Sequence, residues 1–378
     1  METQAKNKLG LYLHVPFCVQ KCLYCDFCSY AGRLDAITAY VERLCEDIKK
    51  YSEQCKGCEV DTVYFGGGTP TLLPIKELER IFNALSDFNI SVDAEITSEC
   101  NPATADLDYF KNMRSIGINR LSIGLQSVHN NELKRLGRIH TYSDFLETYN
   151  NARRAGFDNV SADLMYGIPD QTYESFEKTL STLVNVAPEH ISSYGLKIED
   201  GTPFGKIKKE LTLPDEDTEY DMYMLLSNYL RENGYAKYEI SNFSHRGRES
   251  RHNIKYWMGD DYIGIGVAAH SYFEGERFAN SRDFAAYITG ADITESRMKI
   301  SDSEKMTEFI MLGMRLANGV SRSEFSRRFG VSFDLIYGDR FKKYVSGGFV
   351  ADDEDNIFFT DKGFFVSNYI LSDVLDFD

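Results

Sequence analysis

Apolar runs of strand length alternate with longer amphipathic runs six times between residues 9 and 200. The strand-like runs are 9–15, 59–65, 93–97, 120–124, 160–165 and 190–196. The helix-like runs between them are 35–52, 75–87, 105–116, 142–155 and 173–186. Short connections between alternating strands and helices imply a parallel sheet with right-handed crossovers. Eight such units close a barrel. Six predict an α/β fold with an open, partial β/α barrel whose broad mouth lies at the strand C-termini, where such folds bind their ligands.

The pattern changes after about residue 200. Asp200-Gly-Thr-Pro203 reads as a turn, a helix is expected from Pro214 to about Glu232, and 235–243 and 262–272 read as further strands. From Ser301 two helical runs precede strand-like runs at 347–350 and 356–360, the order of a small α+β winged-helix-like module. The expected division is a barrel core over 1–240, a connecting segment over 241–300 and a C-terminal module over 301–378. That module carries nine Lys and Arg against fourteen Asp and Glu, and the whole chain has a net charge of -16. Nucleic-acid binding rests on clustered positive charge, so no nucleic-acid partner is expected. No run approaches the ~18 apolar residues of a membrane span, and the first residues lack the apolar centre of a signal peptide. A reducing cytoplasm is the expected location, where cysteines read as metal or redox ligands before disulfides.

Four of the eight cysteines lie within residues 18–28. Cys18, Cys22 and Cys25 follow the first strand in a C-x3-C-x2-C spacing, and Pro16 ends that strand because it has no N–H to donate. Three thiolates on one loop can hold three irons of a [4Fe-4S] cube and leave the fourth iron open to a ligand. Zinc sites favour paired C-x2-C knuckles, and no good second pair follows. Cys55-Lys-Gly-Cys58 has redox-pair spacing but lacks partners, so it reads as surface thiols. Cys45 and Cys100 read as buried small apolar residues.

Gly66-Gly-Gly-Thr-Pro-Thr71 directly follows the second strand. Consecutive glycines let a backbone approach a ligand closely. The run lacks the Lys-Ser/Thr of a phosphate-binding loop, which argues against ATP. Glu99, Gln126 and Asp163 stand at the ends of the third, fourth and fifth strands, and Arg138 follows Gln126 by twelve residues. Each alone is an ordinary solvated strand end. Together they form a rim suited to a zwitterionic, ribose-bearing ligand, with carboxylates for hydroxyls and Arg for a carboxylate.

The cysteine loop, the GGTP run and the ordered rim residues resemble the radical S-adenosylmethionine (SAM) enzymes over essentially the whole chain. The resemblance is closest to the branch of oxygen-independent coproporphyrinogen III dehydrogenase and the HemW-type haem chaperones. It implies a [4Fe-4S] cluster on Cys18, Cys22 and Cys25. It implies SAM contacts at Tyr12, Tyr24, Gly67, Gly68, Thr69, Glu99, Gln126, Arg138 and Asp163. In this branch an electron from the reduced cluster cleaves the S–C5′ bond of SAM and yields a 5′-deoxyadenosyl radical.

One departure sorts the branch. The dehydrogenases carry C-x3-C-x2-C-x-C, and their fourth Cys falls at Phe27 here; Cys28 stands one residue late. The C-x3-C-x2-C-x-F form resembles the haem chaperones. The run Arg251-His-Asn-Ile-Lys-Tyr-Trp257 resembles a haem-associated motif of that branch. A neutral imidazole can ligate haem iron, and Tyr256 and Trp257 can pack on a flat macrocycle. His252 is therefore a candidate axial ligand and His270 a second, against the plainer reading of a core histidine with an aromatic pair. The expected role is haem binding and delivery to an acceptor protein, with a separate electron donor for the cluster and no assigned catalytic residue. The alternative is oxidative decarboxylation of two propionates of coproporphyrinogen III to give protoporphyrinogen IX.

Overall fold

The computed structural model describes residues 7–375. Six strands stand side by side, parallel and in chain order: β1 (Lys8–Val15), β2 (Glu59–Gly67), β3 (Ile90–Cys100), β4 (Arg120–Gln126), β5 (Val160–Tyr166) and β6 (His190–Gly195). The crossovers carry α1 (Ile37–Gln54), α2 (Ile75–Leu85), α3 (Leu107–Ile116), α4 (Tyr142–Arg154) and α5 (Tyr173–Val186). All seven residues of β4 are buried, as a strand covered on both faces requires. The helix starts are written in short polar caps. Asp106 accepts from the Tyr109 N–H, and Thr141 with Asp144 and Thr172 with Ser175 form reciprocal capping boxes. This is the expected partial β/α barrel.

The third strand is longer than the 93–97 expected. Its charged residues hide the apolar pattern, yet Glu95 is buried and accepts the Arg251 and His252 N–H groups, at 3.1 Å each. The single strand expected over 235–243 is a hairpin of β7 (Ala236–Glu239) and β8 (Asn242–Ser244), and β8 pairs antiparallel with β6. The strand expected over 262–272 is likewise two: β9 (Tyr262–Ile265) and β10 (His270–Phe273). The chain reverses between them at Gly266 and Ala268, both at positive φ, and an alanine there gives no turn signal.

Residues 241–300 do more than connect. β9 pairs parallel with β1, and β10, β11 (Glu276–Asn280) and β12 (Thr294–Lys299) extend that edge antiparallel, so one twelve-stranded sheet runs β12-β11-β10-β9-β1-β2-β3-β4-β5-β6-β8-β7. Helix α6 (Glu216–Glu232) precedes β7, and α7 (Arg251–Met258) carries the HNIKYW run. The C-terminal module has α8 (Asp302–Gly313), α9 (Arg322–Phe329) and α10 (Asp339–Ser346) with a three-stranded sheet of 320–321, 356–359 and 350–352. Its buried Phe325, Phe341 and Ile357 belong to the same apolar core as Leu11 and Leu121 of the barrel. The Lys237–Asp361 ion pair at 2.6 Å, largely buried, also ties the two.

Candidate functional site

The rim is assembled by hydrogen bonds that cross from strand to strand. After β1 the chain passes through buried Cys18 to the half-buried Cys22 and Cys25, whose turn is closed by the Cys25 N–H on the Cys22 carbonyl at 3.2 Å. The Cys18 Sγ lies 3.7 Å from the Thr69 hydroxyl. Thr69 accepts from Asn101 Nδ2 at 2.8 Å, and Asn101 Oδ1 accepts from Arg138 at 2.8 Å. The second terminal nitrogen of Arg138 donates to the Tyr24 hydroxyl at 2.8 Å, back on the cysteine loop. The circuit is closed: loop, glycine run, β3 end, β4 loop, loop.

Gly67 and Gly68 are held by crowding. Gly67 sits at φ +113, and a Cβ there would stand 2.4 Å from the His14 ring. A Cβ on Gly68 would stand 2.5 Å from the Phe17 carbonyl oxygen. Beneath them Glu99 accepts from the Gly67 N–H and the Tyr64 hydroxyl, both at 3.1 Å. Burial, then the nearby Asp163 carboxylate, push Glu99 up to about 7. Asp163 accepts from Ser122 at 2.9 Å and Ser161 at 3.2 Å, and burial raises it too. Gln126 adopts a left-handed backbone at φ +69, and its amide, Asn101 and Arg138 all converge over Gly124. Strain of that kind, at a non-glycine strand end, marks built sites. Tyr12 stacks on Tyr64 and lies 3.0 Å from His14 Nδ1.

Two members of this arrangement were not singled out from sequence. Asn101 links Thr69 to Arg138; its signal was the Asn-Pro pair at the end of β3. His14 donates from Nε2 to the Cys28 carbonyl at 2.7 Å, which leaves Nδ1 to accept from Tyr12. Burial pushes His14 down to about 4, so it stays neutral. Cys28 packs in the core with its Sγ 3.3 Å from the Tyr30 hydroxyl, whereas Phe27 is 70% exposed. Cys55 is buried rather than on the surface, and burial pushes its thiol up to about 12.

His252 and His270 are not brought to this rim. His252 is 1% exposed, beside Gly10 and Thr62 in the N-terminal half of the strands. Its Nδ1 lies 2.8 Å from the Thr62 hydroxyl and its Nε2 2.8 Å from the Tyr256 hydroxyl, so neither nitrogen is left for a metal. Burial pushes it down to about 3. His270 is exposed at the start of β10.

The donor set fits the implied cofactors. Arg138 is a half-buried cation; its Nε has no hydrogen-bond partner, and among the described residues no carboxylate pairs with it. A half-buried guanidinium held in place by Tyr24 and Asn101, with no carboxylate of its own, is suited to pair one from a ligand, and the three cysteine thiols lie on the adjoining loop.

A family profile, the radical SAM superfamily, matches residues 12–183, and a second, the HemN C-terminal domain, matches 300–366. The chain is 34% identical over 370 residues to the heme chaperone HemW of Lactococcus lactis, covering 96% of each chain. It belongs to the HemW family of radical SAM proteins. The HemW proteins of Escherichia coli (34% identical, 96% of this chain and 97% of that one) and Bacillus subtilis (31%, 95% and 97%) match at similar length. The fold superposes on a solved structure described as coproporphyrinogen III oxidase (HemN) from Escherichia coli, a radical SAM enzyme. That match has a TM-score of 0.86 at 23% identity and covers 98% of this chain and 90% of the other. Membership of the HemW family implies a [4Fe-4S] cluster and SAM. Among the described residues, no helix is long and apolar enough to cross a membrane.

Proposed function

We propose that this chain binds haem and delivers it to an acceptor protein. In this reading Cys18, Cys22 and Cys25 hold a [4Fe-4S] cluster. Arg138 pairs the SAM carboxylate, Gly67, Gly68 and Thr69 offer backbone and hydroxyl groups to its amino-acid end, and Tyr12, Tyr24, Glu99, Gln126 and Asp163 line the remainder. When bound, the cluster and SAM supply one-electron cleavage of the S–C5′ bond. The protein's own part is orientation. Tyr24 and Asn101 fix the Arg138 guanidinium, and Glu99 is held near neutrality, able to accept from or donate to a ribose hydroxyl. An electron donor and a haem acceptor complete the scheme.

One observation carries the reading: near full-length similarity to proteins named heme chaperone HemW, in a chain whose loop places exposed Phe27 where the dehydrogenases carry Cys. The test is a paired assay on anaerobically reconstituted protein. Stoichiometric haem binding, with passage of haem to an apo-haemoprotein, supports it. Catalytic appearance of the doubly decarboxylated porphyrin from coproporphyrinogen III, without haem binding, rejects it in favour of a decarboxylase.

A further inference from the structure

We infer that the cavity between α7 and the C-terminal module takes a flat macrocycle bearing carboxylates. This rests on the haem reading above and moves the ligand away from His252. The cavity encloses about 360 Å³, within the range of small-molecule sites. Its walls are aromatic from both sides. Tyr256 and Tyr262 meet edge-on at 4.6 Å on the sheet side, and Phe309 and Phe329 at 5.6 Å on the module side. Such faces stack on a planar conjugated ring.

The charge of the lining is positive. Arg277, Lys305 and Arg328 line it against one carboxylate, Glu308, and Arg277 already holds Glu308 in a two-point pair at 2.6 and 3.1 Å. Arg328 lines the cavity, donates its Nε to Glu324 and lies 5.0 Å over the Phe309 ring. Lys305 reaches only Asp302, an exposed partner at 3.1 Å. Each of these two cations already holds one carboxylate of its own chain, and its remaining N–H groups can pair with carboxylates at the edge of a stacked ring. Helix α7 explains why the HNIKYW run serves this cavity without ligating through its histidine. His252 faces inward, and its contact with the Tyr256 hydroxyl sets the ring that lines the cavity. His252 is thus a positioning residue. Met258, 37% exposed, lines both this cavity and a second of about 450 Å³ beside Trp257.

The test uses the full chain, haem, metal-free mesoporphyrin and the mesoporphyrin dimethyl ester, with Trp257 fluorescence as the readout, since it is the only Trp. The diacid is expected to bind about tenfold tighter than the diester, and Lys305→Glu with Arg328→Glu to weaken the diacid at least about tenfold while leaving the diester unchanged. If that double variant loses its fold by circular dichroism, Lys305→Gln and Arg328→Gln give the same comparison. Wild-type affinity for the diacid in folded variants overturns the cavity assignment. Should haem bind normally in that case, the haem reading survives alone. Binding of the metal-free diacid at this cavity without haem binding rejects the haem reading and keeps the cavity.

Discussion

Arg138 donates to the Tyr24 hydroxyl at 2.8 Å, joining the loop after β4 to the cysteine loop across 114 residues of sequence. With its other terminal nitrogen on Asn101, the guanidinium is fixed before any ligand arrives. Arg138→Ala is expected to lower SAM affinity about 10- to 100-fold, the worth of a charged hydrogen bond of about 1.5–3 kcal/mol. Cluster content should stay intact. Calorimetric titration of reconstituted variant and parent decides it, and equal affinity rejects the carboxylate-pairing role.

Each of Cys18→Ala, Cys22→Ala and Cys25→Ala should lose most bound iron and sulfide after anaerobic reconstitution, because a cube cannot be held by two thiolates. Cys28→Ala should keep both, since Cys28 packs against Tyr30 in the core. Iron and sulfide analysis of the four proteins separates the ligands from the bystander. Normal content in any of the first three removes that residue from the ligand set.

Glu99 gives the fold a pH dependence with a defined sign. Burial raises it from an ordinary 4.5 to about 7, so the folded chain keeps a proton that the unfolded chain releases. Its contribution to stability is therefore present below about pH 4.5 and is lost as pH rises through about 7. Glu99→Gln should stabilise the apoprotein more at pH 8 than at pH 5. Denaturant midpoints at the two pH values measure this, and an equal gain at both rejects the raised carboxyl.

His252→Ala should cost about 2 kcal/mol of stability, because the Thr62 and Tyr256 hydroxyls lose a buried partner. The position of the Soret band of bound haem should not move. A shifted band, rather than a weaker one, would restore His252 as the iron ligand.

Much of the barrel was legible, and the reasons are local. Strand length, crossover length and the C-x3-C-x2-C spacing are all read within a few residues. The glycine run was legible as a close approach, but what it approaches was not: the His14 ring comes from another strand. Asn101 escaped notice because its role exists only once Thr69 and Arg138 are beside it. The reversals at 240–242 and 266–269 were missed for a different reason. Ala268 adopts a left-handed conformation that tertiary contacts impose and its side chain does not announce.

The place of β1 in the sheet bears on how the protein is made. Its partner on one side, β2, is synthesised early, but its partner on the other, β9, begins only at Tyr262. A nascent chain therefore carries an unpaired edge next to its three cysteines until roughly two thirds of it has been translated. Such long-range strand closure is slow and leaves the edge open to wrong pairings. The contacts that hold the cysteine loop are complete by Arg138, so it is the far edge of β1, and not the loop, that closes late.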